Sequence, residues 1–336
     1  MAKKLWEASP SVKIKSNLYR YEKFISKKFK KDFGRSYKKI LNWSIKNSDK
    51  FWSSIWDFCQ IKGIKGKKKI IKSNIFYKNK FLPDTKLNFA ENLLCKNDLS
   101  KAITFISENG YREERNWKNL NSNVDKLRVF FKKIKISKKD RIAAYMPNTI
   151  ETVESFLAVS SIGAIWSSCS PDFGTKGVIE RFSQINPKIL LVNDRYYYNG
   201  KEINILERLP ELLKNISSIK YVIICNYPGK GYLKKNLKIK SVKFFKWKEI
   251  NKFYKIKLKY NKFNFNHELA ILYSSGTTGK PKCICHRTGG VLLQHVKEHQ
   301  LHCDIKENDN IFYFTTCGWM MWNWMVSALA SKASIV

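Results

Sequence analysis

The sequence has 336 residues, 43% of them hydrophobic, enough for a sizeable core and for about two domains of ~150 residues each. Its formal net charge of +37 would attract acidic polymers in general. However, only ten of the 64 basic residues are Arg, and the lysines are spread among Ile and Asn from end to end without an Arg-rich stripe, which argues against a specific nucleic-acid reader. Cys59, Cys95, Cys169, Cys225, Cys283, Cys285, Cys303 and Cys317 lack the density and spacing of a secreted disulfide scaffold. They fit a reducing, cytoplasmic setting, and the basic N-terminus is not followed by the apolar core of a signal peptide.

Residues 17–60 carry aromatic and aliphatic side chains at helical intervals, such as Tyr37, Ile40, Leu41, Ile45 and then Phe51, Trp52, Ile55, Trp56, with lysines on the far side. Residues 62–80 read as a Lys-rich connector containing a strand, and Pro83 and Asp84 lead into a helix reaching Leu94. A boundary near residue 85 divides a helical N-terminal cap, 1–85, from a large domain, 86–336. Beyond it the chain alternates: strands at 102–106, 141–145, 188–192 and 221–225, helices at 117–133 and 150–162. Such alternation predicts an α/β fold whose mixed, largely parallel sheets are flanked by helices. The most membrane-like stretch, 317–336, contains Gly318, Asn323, three serines and Lys332 and reads as buried core rather than a span. It ends in an apolar, β-branched run without a closing turn. A strand ending there would leave an unpaired edge, so the large domain reads as incomplete at its C-terminal end.

Within this order, residues 269–282 stand out: Leu-Ala-Ile-Leu-Tyr-Ser-Ser-Gly-Thr-Thr-Gly-Lys-Pro-Lys. Leu269 to Tyr273 form a short apolar run suited to a strand covered on both faces. Gly276 and Gly279 permit unusual backbone angles, Ser274, Ser275, Thr277 and Thr278 add hydroxyls, and Lys280 and Lys282 add charge. Successive N–H groups in such a turn make a concavity for an anion. The Walker A spacing does not fit, because Pro281 stands where that loop requires its second glycine. Taken alone, the run is either a phosphate loop or a small-residue surface turn.

Several stretches decide between these by resemblance, and they cover nearly the whole chain. Residues 274–282 resemble the signature loop of the AMP-forming, adenylate-forming synthetases. Residues 37–58 and 87–94 are similar to the helical cap of the short-chain acyl-CoA synthetases. Arg141-Ile-Ala-Ala-Tyr-Met-Pro-Asn148, the run Gly163-Ala-Ile-Trp-Ser-Ser-Cys-Ser-Pro-Asp-Phe-Gly174 and Thr315-Thr-Cys-Gly-Trp-Met-Met-Trp-Asn-Trp324 follow that family's large domain, in its acetoacetate-activating form. The resemblance implies ATP, Mg2+ and coenzyme A as cosubstrates. A carboxylate attacks the α-phosphate of ATP to give an acyl-adenylate, and the coenzyme A thiol then displaces AMP. It also implies that Ser274, Ser275, Gly276, Thr277, Thr278, Gly279, Lys280 and Lys282 hold the ATP phosphates, and that Trp319, Met320 and Met321 line the acyl pocket. Read without it, Trp319 to Trp324 are core packing. Gly200 and Lys201 match the family's loop for the nucleotide end of coenzyme A, although Tyr198 and its neighbours replace an arginine there, and a solvated tyrosine turn fits as well.

The family's later elements find no match in these residues. They are the adenine-contacting segment with its magnesium-binding glutamate, the ribose-binding aspartate, the hinge and the small domain with the adenylation lysine. A complete reaction is therefore expected to need a C-terminal portion, for instance as a separate chain. Small molecules are the expected partners, with no specific nucleic acid and no membrane. A non-catalytic nucleotide-binding remnant and a basic nucleic-acid-binding protein are the alternatives. A second cluster, Cys283, Cys285, His286, His295, His299, His302 and Cys303, raises a zinc site, but the Cys-x-Cys spacing is unlike structural zinc sites. A helix carrying partly buried histidines is the expectation, with no protein-ligated metal.

Overall fold

The computed structural model of the chain describes residues 5–233, 239, 241–250, 252–253, 258–274 and 279–336. After a short helix, Pro10–Lys15, three longer helices form the N-terminal part: α1 (Asn17–Phe29), α2 (Tyr37–Lys46) and α3 (Ser48–Phe58). Serines start the first two, since the Ser16 side chain accepts from Tyr19 N at 3.2 Å and Ser36 from Lys39 N at 3.3 Å, satisfying donors left free at a helix start. Helix α1 ends at Lys30, whose left-handed φ of 49° breaks the helical path. Their apolar stripes bury Tyr21, Ile25, Ile40, Trp43, Ile55 and Trp56.

After α4 (Phe89–Leu93) the chain alternates. It runs through β1 (Lys101–Ile106), β2 (Arg112–Asn116), α5 (Trp117–Lys133), β3 (Arg141–Tyr145), α6 (Ile150–Ser161), β4 (Ile165–Cys169), α7 (Thr175–Phe182) and β5 (Ile189–Asn193). The hairpin β6 (Arg195–Tyr198) and β7 (Lys201–Asn204) follows, then α8 (Leu209–Asn215), β8 (Tyr221–Cys225), β9 (Lys243–Lys246), β10 (Glu268–Ser274) and β11 (Lys282–Arg287). Helix α9 (Thr288–Lys297), β12 (Asn310–Ile311), α10 (Met320–Ser327) and β13 (Ser334–Ile335) complete the order. Residues 117–133, 141–145 and 221–225 form the elements their patterns predict, with the same bounds.

The main sheet has seven strands in the order β9-β8-β5-β3-β4-β10-β11, parallel except for β11, which runs antiparallel to β10. Its central strands are apolar on both faces because helices cover both. Ala143, Tyr145, Leu190, Val192, Val222 and Ile224 pack with α7 and α8 residues such as Val178, Phe182 and Leu209. Ile142, Ala144, Leu191 and Ile223 face the other way, toward α5 and α6. That second cluster runs from Tyr21 to Ile335, so the helices on either side of residue 85 share one apolar core. In β10 the burial is less even than its sequence suggests: Leu269, Ala270 and Leu272 are buried, Ile271 and Tyr273 half-buried.

A second sheet has the order β12-β13-β1-β2. Here the expectation of an unpaired edge at the last strand is corrected: β13 lies between β12 and β1, parallel to both, so both of its edges face neighbours. Cys317, Trp322, Met325, Val326, Leu329 and Ile335 are buried, as a core segment requires, and among the described residues no helix is long and apolar enough to cross a membrane.

Candidate active site

Strands β10 and β11 form an antiparallel hairpin whose last pair is Ser274 opposite Lys282. The connection between them is therefore the Ser/Gly/Thr/Lys run. Of its expected phosphate-holding residues, Ser274, Gly279, Lys280 and Lys282 are described, while Ser275, Gly276, Thr277 and Thr278 lie outside the described residues. Gly279 has a φ of +88°, and no described atom lies within 4 Å of the position where a Cβ would stand. The backbone angle by itself favours glycine there. Lys280 and Lys282 are both exposed, available to an anion.

Two other stretches meet the hairpin. Residues 170–174, leaving the C-terminal end of β4, are held from behind. The buried Tyr145 hydroxyl donates to Phe173 O at 2.7 Å and Pro171 O at 3.2 Å, and the Arg208 guanidinium donates to Tyr145 Oη and to Pro171 O at 3.0 Å. Burial pushes the Tyr145 phenol up to about 12 despite the opposing Arg208 charge, so it is a neutral donor. The turn before α10 is fixed by Ser168 Oγ, which donates to Cys317 O at 2.6 Å, and by Trp322 Nε1, which donates to Asn148 Oδ1 at 2.7 Å. Trp322 stacks on Trp166 with ring centroids 6.3 Å apart. A Cβ on Gly318 would come within 3.3 Å of the Phe173 ring and 3.4 Å of Ser170 N, so this turn packs directly on residues 170–174.

Helix α7 ties both to the hairpin. The Arg181 guanidinium lies over the Phe173 ring at 4.3 Å and near the Tyr273 ring at 5.8 Å. Just beyond it, Gln184 Nε2 donates to Pro281 O at 2.9 Å. Ser167 Oγ donates to Ile271 O at 2.9 Å. Three stretches far apart in sequence thus converge at one end of the main sheet, the end at which open α/β sheets bind ligands. The described part of the hairpin offers the Ser274 hydroxyl and two exposed lysines at this end of the sheet. Trp319 is 54% exposed and Met320 44%, and Met321 is half-buried.

Gly200 and Lys201 are placed at the tip of the β6–β7 hairpin, where Asn199 and Gly200 both have positive φ. The N–H groups of Asn199 and Gly200 donate to the two Glu108 carboxylate oxygens, each at 3.2 Å. Those N–H groups are therefore satisfied within the protein, and Lys201 is exposed. The second cluster is divided: Cys283, Cys285, His302 and Cys303 are exposed, His286 half-buried, His295 and His299 buried. Among the described residues no group of three or more His, Cys, Asp and Glu side chains is arranged to hold a metal ion. Of the residues that anchor the site, Tyr145 lies within the run 141–148, whereas Arg208, Arg181 and Gln184 lie outside every stretch that carries the resemblance. Their roles follow only from the fold, which brings α7 and the residues before α8 across the ends of β3 and β4.

Residues 99–336 match the AMP-binding enzyme family. The chain is 40% identical over 306 residues to an acetoacetyl-coenzyme A synthetase of Rhizobium meliloti (strain 1021), spanning 90% of this chain and 46% of that protein. It is 34% identical over 315 residues to a malonamoyl-CoA synthetase of Penicillium aethiopicum, spanning 90% and 43%. A solved structure, acetoacetyl-CoA synthetase from Streptomyces lividans, superposes with a TM-score of 0.90 at 27% identity, over all of this chain and 51% of that one. The chain spans about half the length of the relatives it matches. On its motifs, its fold and these likenesses, the chain belongs to the AMP-binding enzyme family.

Proposed function

We propose that this chain supplies the ATP-phosphate-binding and acyl-binding half of an acetoacetate–CoA ligase acting in the cytoplasm. The observation that carries the reading is the convergence of the β10–β11 hairpin, residues 170–174 and the Gly318 turn on one end of the main sheet. In the proposed reaction an acetoacetate oxygen attacks the α-phosphate of ATP, an O–P bond forms and pyrophosphate leaves. The coenzyme A thiol then attacks the acyl carbon and AMP leaves. Ser274, Ser275, Gly276, Thr277, Thr278, Gly279, Lys280 and Lys282 hold the departing phosphates, and preorganised donors there neutralise developing charge. The hairpin's described donor set is hydroxyl and ammonium without a carboxylate, which fits phosphate oxygens, so Mg2+ would be carried on the phosphates and contribute further charge neutralisation. Trp319, Met320 and Met321 form the acyl wall, Gly200 and Lys201 meet the nucleotide end of coenzyme A, and residues 1–85 act as a cap on the large domain 86–336. The acyl groups that name the relatives, acetoacetyl and malonamoyl, both carry a carbonyl on the third carbon.

The remaining elements of the reaction come in this proposal from a C-terminal portion, supplied as further polypeptide. The test is ATP–pyrophosphate exchange by the purified chain, alone and mixed with the C-terminal half of the Rhizobium meliloti relative. Acetoacetate-dependent exchange is expected, and none in either arrangement overturns the ligase reading. In an active combination, Gly279→Ala or Lys282→Ala slows exchange by more than about tenfold, or ~1.4 kcal/mol of transition-state stabilisation. Unchanged exchange in both variants removes the hairpin from the mechanism. The alternative, a nucleotide-binding remnant, would bind ATP without any acid-dependent exchange.

A further inference from the structure

Helix α10, which begins with Met320 and Met321, carries and faces a set of buried polar groups. Helix α10 packs against α9 so that His295 Nδ1 meets Ser327 Oγ at 2.9 Å and the His299 ring meets the Trp324 ring at 4.5 Å. Ser327 Oγ donates to Asn323 O at 2.7 Å, so His295 must carry its proton on Nδ1 to donate in turn. Those two pairings run in opposite directions along the helices and bring Asn323, one turn from Ser327 and one turn from Met320, to the same interface. Asn323 is 2% exposed and His299 fully buried, yet both side-chain atoms of Asn323 and both ring nitrogens of His299 lack a hydrogen-bond partner among the described residues. The backbone of Trp324 lies close enough to His299 to favour its charged form but outside hydrogen-bonding geometry. Thr316 Oγ1, in the turn leading to α10, is likewise buried and unpartnered.

An apolar helix contact would be the more stable solution, since each buried polar atom left unpaired costs on the order of 1–3 kcal/mol. The backbone is irregular at the same place: α9 gives way to a π-helical segment, Glu298–His302, which carries His299. Single turns of π-helix recur at functional sites. Methionine side chains are flexible enough for the wall in front to open.

We propose that Asn323 and His299 form the recognition site for the carbonyl oxygen on the third carbon of a short acid, with Met320 and Met321 as its door. This rests on the acid-activating reading above and adds how the acid is chosen. The Asn323 amide donates to the oxygen, and the neutral His299 ring supplies a second donor. Butyrate, which has the same carbon chain without that oxygen, leaves both groups unpaired and is rejected. A site built to hydrogen-bond a substrate group discriminates against the analogue lacking it far more strongly than an apolar pocket does.

The test is binding of acetoacetate and butyrate to the purified full chain, read by saturation-transfer NMR and titration calorimetry, for the wild type, Asn323→Leu and His299→Leu. The wild type is expected to prefer acetoacetate by at least about tenfold, and each variant to bring the ratio close to one. Circular dichroism melts show which variants fold. If neither does, acid-dependent shifts in the melting of the wild type decide alone, acetoacetate raising it and butyrate not. Equal affinity for the two acids, no affinity for either, or a preference that survives in a folded variant overturns the proposal and assigns these atoms to internal water. Exchange at equal rates with acetoacetate and butyrate would overturn only this inference. Exchange with no acid removes the ligase reading, and the binding ratio still decides this one.

Discussion

Two adjacent glycines at the start of α9, Gly289 and Gly290, give a test in which the sequence and the fold make opposite statements. Helix propensity treats them alike: replacing either by alanine removes backbone freedom from the unfolded chain and should stabilise by about 0.5–1 kcal/mol. The structure separates them. A Cβ on Gly290 meets nothing within 4 Å among the described residues, whereas a Cβ on Gly289 would lie 2.2 Å from Cδ2 and 2.4 Å from Cε2 of Phe265. Phe265 is only 4% exposed, and its carbonyl accepts from Gly289 N at 2.9 Å, so neither ring nor backbone has room to withdraw. Overpacking of this kind costs about 1–3 kcal/mol, which exceeds the propensity gain. Gly290→Ala is therefore expected to raise stability by about 0.5–1 kcal/mol and Gly289→Ala to lower it by about 0.5–2 kcal/mol. Urea unfolding followed by circular dichroism measures both. Equal and stabilising effects would refute the close approach of α9 to Phe265, and with it the placement of the helix that carries His295 and His299.

Tyr145→Phe removes the hydroxyl that serves two carbonyls of residues 170–174 and leaves Arg208 as their partner. A loss of about 1–3 kcal/mol is expected, together with faster amide exchange in residues 170–174, and unchanged exchange there would show that the loop holds itself. Acid should also destabilise the protein. Burial lowers His295 to about 3 and His299 to about 4, below the ordinary 6.5, so the unfolded chain takes up protons that the folded one refuses; this stability is complete above pH 6.5 and is lost as pH falls. Glu154 acts in the opposite sense, because burial raises it to about 7 and the folded state holds its proton between the unfolded value near 4.5 and 7. By themselves these three groups contribute a net loss of about 1.4 kcal/mol per pH unit between pH 6.5 and 4.5, to which burial adds lowered His267, His286 and His302 in the same sense and a raised Glu151 in the opposite one. His299→Met should reduce that slope by about one proton's worth, and a slope indifferent to the substitution would mean that His299 is not buried in its neutral form.

What was legible in the sequence is what period and local chemistry encode. Continuous apolar runs at 141–145 and 221–225 became central strands because helices cover both faces of the sheet, and Asn116 caps α5 where the pattern begins, its side chain accepting from Asn119 N at 2.8 Å. The strand before the loop was legible from its apolar run, but the loop's role rested on the resemblance, since glycine, hydroxyl and lysine at this spacing also suit a surface turn. The helix-face reading of His295, His299, His302 and Cys303 was less complete. Spacing placed them on one stripe, but the π-helical segment and the packing of α10 bury the first two and expose the others. Burial, rather than periodicity, separates the histidines with solvent from those without it, and it depends on Ser327 and Trp324, about thirty residues later. The same holds for Tyr145 and Arg208. A tyrosine at a strand end and an arginine before a helix are ordinary in a sequence, and they act together only because β3 and the start of α8 meet behind residues 170–174. Residues that touch a ligand through backbone and short side chains leave a motif, because their spacing is the chemistry. Residues that act by holding a loop or lining a helix contact leave none, because their spacing is set by the fold. The proposed Asn323–His299 site combines both: Asn323 lies in the run 315–324 that carries the resemblance and His299 in none, and what marks the site is buried atoms without partners among the described residues, a property that exists only once the helices are packed.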